Sequence, residues 1–90
     1  HFGIMSDDRF EVVAEFSGDA AAYVAERTWS PDQKITKRGS NGIRITLSAS
    51  SEPELISWML SFGDKAKLIK PTGLANQIKA IAENVCRAYS

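Results

Sequence analysis

Few residues in this 90-residue chain have the chemistry to act as catalysts or ligands. The single histidine, His1, stands at the first position, and the single cysteine, Cys86, lies near the last. A zinc site needs several nitrogen and sulfur ligands that converge. A nucleophilic triad needs a histidine within reach of a serine or cysteine. Neither can be assembled around one terminal histidine. Cys86 adjoins Val85 in an amphipathic run, which favours a half-buried structural thiol over a nucleophile. The eleven carboxylates include no pair set among hydrophobic residues in the way that raises a pKa for acid–base work. No catalytic residue, metal ligand or cofactor is therefore expected, and the chain reads as a non-enzyme.

Gly39-Ser40-Asn41-Gly42 is glycine-rich enough to cradle a phosphate, but phosphate loops lead into a helix N-terminus. This one joins two strand-like segments and reads as a hairpin turn. An acylphosphatase-like loop after the first strand needs an arginine, and Ser17-Gly18-Asp19 carries an acid there. The remaining candidates are aromatic and apolar. Trp29 follows a helical run and precedes Gln33 by four residues. Trp58 and Phe62, four apart on a second helix, read first as core packing. Trp58 lies off the main apolar stripe, so it also qualifies for a partner surface. Ile78, Ile81 and Val85 lie on a last helix. Trp29, Gln33, Trp58, Ile78, Ile81 and Val85 are thus the candidate interface or ligand residues.

Ninety residues make one domain. A hydrophobic fraction of 43% and a charged fraction of 24% are those of a folded protein. Eleven bases balance eleven acids, so there is no global attraction to nucleic acid or to an acidic membrane. Residues 1–32 hold seven of the acids and two bases, and residues 33–90 hold nine bases and four acids. The excess is spread over several elements, so the two parts are expected to neutralise each other. A lone cysteine and the absence of a membrane-length apolar stretch point to the cytoplasm.

Residues 1–8 read as a linker from a preceding domain, and residues 9–90 as one domain. Phe10, Val12, Ala14 and Phe16 alternate with Arg9, Glu11, Val13 and Glu15, the pattern of a half-buried strand. Ser17 stands at an N-cap position before an alanine-rich helix over 19–27. Residues 33–48 form a hairpin turning at Asn41-Gly42, with Ile43, Ile45 and Leu47 on its buried face. Ser51 and Glu54 fit a capping box for a second helix, with Leu55, Met59 and Phe62 as its stripe and Gly63 as its stop. Residues 65–70 form a short strand closed by Pro71. Leu74, Ile78, Ile81, Val85 and Ala88 then recur at helical spacing.

The expected fold is α+β, a ferredoxin-like βαββαβ sandwich with an additional C-terminal helix. Its open face would show Glu11, Val13, Glu15, Arg44, Thr46, Lys65 and Lys67, an acidic centre flanked by bases. That face lacks the stacking aromatics of an RNA-binding sheet. The stripe on the last helix is too apolar to face water, so it must dock on the helical layer or on a second copy.

Several segments together resemble a known family. Phe10-Glu11-Val12-Val13 with Phe16, then Ala21, Tyr23 and Val24, lead into Glu26-Arg27-Thr28-Trp29-Ser30-Pro31-Asp32-Gln33. Gly42 to Leu47, Glu54-Leu55, Ser57 to Gly63, Leu68 to Pro71 and a final helix ending at Tyr89 follow. The order and spacing over residues 9–89 resemble the C-terminal extension (WCX) domain of WYL-domain-containing bacterial transcriptional regulators, with Trp-Ser-Pro-x-Gln its most distinctive part. Phe2-Gly3-Ile4 resembles the link out of the WYL domain. The resemblance implies a regulatory module that contributes to dimerisation and effector response. It also implies that DNA is bound through other domains, and that a nucleotide or nucleic-acid effector binds at the adjacent WYL domain. A small-ligand sensor of the ACT-like kind is the alternative on fold grounds.

Overall fold

A computed structural model describes residues 9–90. The linker expected at residues 1–8 lies outside them. The alternation at the start of the described chain produces strand β1 (Phe10–Ser17), in which Val12, Ala14 and Phe16 are buried. Helix α1 (Gly18–Ala25) follows at once, and then strands β2 (Lys34–Arg38) and β3 (Gly42–Ala49). Helix α2 (Glu52–Leu60) and a single 3-10 turn (Gly63–Lys65) lead to strand β4 (Ala66–Lys70) and the long helix α3 (Thr72–Ala88). Among the described residues the result is α+β: a four-stranded sheet in the order β2-β3-β1-β4, every neighbouring pair antiparallel, with three α-helices.

Register follows the apolar period. Val12, Ala14 and Phe16 lie opposite Leu47, Ile45 and Ile43, so one sheet face is continuously apolar. Ala20, Ala21 and Val24 of α1, Leu55 and Met59 of α2, Leu68 of β4 and Leu74 of α3 join it in one core. The opposite face is polar. There the Glu15 carboxylate accepts from Arg44 Nη2 at 2.7 Å and Nε at 3.1 Å, with Arg38 Nε 3.7 Å away. The Arg44 hydrogen bond is the main reason that Glu15 titrates below its ordinary value.

Several local expectations shift. Helix α1 ends at Ala25, two residues short of the expected end at Arg27, whose guanidinium sits 3.7 Å over the Tyr23 ring. The β2–β3 loop is Gly39-Ser40-Asn41, closed by Arg38 pairing with Gly42. The left-handed glycine of this loop is Gly39 (φ 73), not Gly42. Gly42 is required for a different reason, since a Cβ there would lie 2.6 Å from the Arg38 carbonyl oxygen. Ser51 caps α2 by accepting from the Glu54 amide at 3.4 Å, while α2 stops at Leu60 and leaves Phe62 just beyond it. Gly63 takes the left-handed conformation expected of a helix stop. Lys65 belongs to the 3-10 turn rather than to β4, and it lies beside Gly18 instead of joining the polar sheet face.

The last helix departs most from expectation. Leu74 is buried (4% exposed), Ile78 packs against the core and Ile81 is half-buried. Val85 is 51% exposed, Ala88 is exposed and Tyr89, just past the helix, is 88% exposed. The stripe is covered within the chain along its first half only.

Candidate functional site

The segment Trp29 to Gln33 is built from its side chains inward. Pro31 cannot extend a helix, so the chain turns after α1. The Gln33 side-chain carbonyl accepts from the backbone amides of Trp29 and of Ser30, the latter at 3.3 Å. Its amide donates to the Arg27 carbonyl at 2.9 Å. One glutamine thereby satisfies three backbone groups of the turn. Asp32 ties the turn to the sheet, accepting from the Ser30 hydroxyl, the Ser48 hydroxyl and, at 3.3 Å, the Ser48 amide. These hydrogen bonds, that from Ser30 foremost, hold the Asp32 carboxyl below its ordinary titration range.

What the clamp holds is Trp29. Its indole Nε1 donates at 3.0 Å to the Val24 carbonyl near the end of α1, which also accepts from the Arg27 amide at 3.3 Å. The ring is then fixed against Trp58, with centroids 4.9 Å apart. Trp58 meets Phe62 edge-on at 5.3 Å, Phe62 meets Tyr23 at 5.9 Å, and Tyr23 returns to Trp29 at 6.0 Å. Four rings from α1, the clamp, α2 and the segment just after α2 thus close on one another. Phe16 of β1 supports them from the core side, 5.3 Å from Trp58 and 5.1 Å from Phe62. Edge-to-face pairs in this range add stabilisation beyond buried area.

The rings line an open groove of about 630 Å³. Its other walls are Ala20 and Ser61, with Asp19 and Lys65 on the rim. Tyr23 is 44% exposed, so an aromatic face is presented to solvent. Such a surface binds by shape and apolar contact, with little polar direction. Among the described residues no group of three or more His, Cys, Asp or Glu could hold a metal ion. Cys86 is exposed on α3, not half-buried as the sequence suggests, because the distal turns of that helix leave the domain. No helix among the described residues is long and apolar enough to cross a membrane.

Of the sequence candidates, the structure brings Trp29 and Trp58 together in the groove and sets Gln33 behind Trp29 as its support. Ile78, Ile81 and Val85 lie apart from them on α3, and Ile78 faces Met59 and Leu60 on the other side of α2. Tyr23, Phe62, Ser61 and Lys65 complete the groove and are absent from the sequence-derived set. A signal for Tyr23 exists, as the one aromatic in an otherwise small-residue helix, Gly18–Ala25.

A four-stranded antiparallel sheet with one helical layer thus carries an aromatic groove held by a Trp-Ser-Pro-Asp-Gln clamp. The WCX domain family model matches residues 8–85, nearly the whole chain, and the chain belongs to that family. Membership supports a regulatory domain of α+β fold. Comparison with curated proteins gives no match.

Proposed function

We propose that the chain is a non-catalytic regulatory and interaction module of a WYL-type transcriptional regulator, acting in dimerisation and in the response to an effector. The observation that carries this reading is the aromatic groove. Three of its walls are separate elements, and a dedicated hydrogen-bonded clamp holds the fourth, so the surface is preorganised for a partner. Family membership supplies the regulatory context. The arrangement βαββαβ, with β1 between β3 and β4 and both connecting helices buried on one face, supports reading the core as a ferredoxin-like sandwich, to which α3 is added. DNA contact falls to other domains of the full protein, which works in the cytoplasm.

The test uses the full-length regulator. Trp29→Ala with Tyr23→Ser removes two sides of the groove. The expected result is a folded regulator with weakened self-association and a lost or weakened effector response. An effector response equal to wild type would remove the groove from the regulatory path. A small-ligand sensor would use the same groove, whose volume lies within the usual range for ligand pockets of about 300–1,000 Å³. A metabolite that raises the melting temperature of the 90-residue chain, and fails to do so in the double variant, would favour that reading.

A further inference from the structure

Two apolar surfaces of the described chain stand open: the aromatic groove, and the distal half of α3 with Ile81, Val85 and Tyr89. Helix α2 and the two residues after it lie between them, with Trp58, Ser61 and Phe62 at the groove and Met59 and Leu60 towards α3. The chain's own α3 packs on the far side of α2 from its own groove. We infer that the two surfaces are the halves of one contact: the distal half of α3 from one copy lies in the aromatic groove of a second copy, and the second copy returns the same contact. This rests on the interaction-module reading and specifies its partner as a second copy of this chain.

Three observations support the exchange. The first is continuity. Leu74 and Ile78 are already packed in the core, and Ile81, Val85 and Tyr89 carry the same ridge onward at helical spacing. Anchors one turn apart on a helix are the usual means of filling a hydrophobic groove. The second is charge. At 100° per residue, Glu83 and Arg87 fall on the face opposite the ridge, which is flanked by the neutral Gln77 and Asn84. Asp19 and Lys65 stand at the rim of the groove and its floor is aromatic. Docking therefore desolvates no charge at the centre, in keeping with the depletion of charge from interface cores. The third is area. Two distal halves crossing each other would meet over about two turns. That is too little for the roughly 1,200–2,000 Å² of a stable interface. Reciprocal insertion makes the contact twice and places tryptophan and tyrosine at its centre, where binding energy concentrates.

The chain holds built-in probes. Cys86 is its only cysteine, exposed on the distal half of α3, and Trp29 and Trp58 are its only tryptophans, both in the groove. Ser61→Cys places a second thiol at the groove. Under mild oxidation it is expected to give a covalent dimer linked 61 to 86 between chains, identified by peptide mapping, whereas Glu11→Cys gives no 11-to-86 link. Raising the wild-type concentration should move tryptophan emission to the blue in step with association measured by sedimentation. Val85→Asp should weaken association more than about tenfold and abolish that movement, with the melting temperature of the dilute chain unchanged. Dimers that link only 86 to 86, or that form with no change in tryptophan emission, overturn the exchange and leave self-association standing. A chain that stays monomeric at every concentration overturns both the exchange and the dimerisation part of the proposed function.

Discussion

The two halves of α3 share one helix and one apolar stripe, yet they have opposite fates. Thr72 to Ile78 lies on β4 and α2 and sends Leu74 into the core. Beyond Ile81 the same stripe runs out into solvent, and Val85 and Tyr89 have mostly open surroundings. A period of 3.6 residues tells which side of a helix is apolar. What covers that side is decided by how far the rest of the fold reaches, and here it reaches about half of a helix roughly 25 Å long. Apolar surface within the reach of the fold belongs to stability, and apolar surface beyond it is available for association.

Substitutions at the two ends of the helix should separate these roles. The largest effect is expected at Leu74→Ala, which deletes a side chain 4% exposed. Loss of transfer energy and the cavity left behind should cost about 2–5 kcal/mol in urea unfolding. A cost as small as that of a surface change would mean that α3 does not close the core. Gln33→Ala comes next. It strips partners from the part-buried Trp29 and Ser30 amides and the exposed Arg27 carbonyl, and lost hydrogen bonds of this kind cost about 0.5–1.5 kcal/mol each. Near-UV circular dichroism should show a weakened tryptophan signal at the same time, because the turn that sets Trp29 against Trp58 is loosened.

A third test concerns acid. Asp32 has its carboxyl lowered in the folded chain, so it binds a proton more weakly folded than unfolded. Its contribution to stability is complete above the ordinary carboxylate value and is lost as pH falls through the folded value. Asp32→Asn should flatten the fall in melting temperature on acidification, most visibly below pH of about 4. An unchanged acid slope would show that the clamp does not depend on the charged carboxylate. The smallest effect is expected at Val85→Ala, within about 0.5 kcal/mol of wild type for a residue 51% exposed.

Much of the fold was legible because strands with one buried face write their register in the sequence. Every second residue from Val12 to Phe16 and from Ile43 to Ala49 is buried, as the alternation requires. The capping serine at Ser51 and the stop at Gly63 were equally local signals. The groove was legible in part. Trp29 and Trp58 stand out as large aromatics off the main stripes, but their meeting with Tyr23 and Phe62 is tertiary and has no spacing rule. Gln33 was recognisable as part of a motif. Its job of satisfying a turn backbone appears only when Arg27, Trp29 and Ser30 are seen around it. The fate of α3 was the least legible, because Leu74 and Val85 look alike in the pattern and differ only in what lies next to them.

The division of α3 can be measured directly by amide hydrogen exchange along the helix at low and high protein concentration. The amides around Ile78 should be protected at both concentrations, close to the level of global unfolding. Those from Ala82 to Tyr89 should exchange quickly when dilute and slow by more than about tenfold when concentrated, as association covers them. Equal and concentration-independent protection along the whole of α3 would contradict the account, since the distal turns would then be held by the chain itself and would have no partner to wait for.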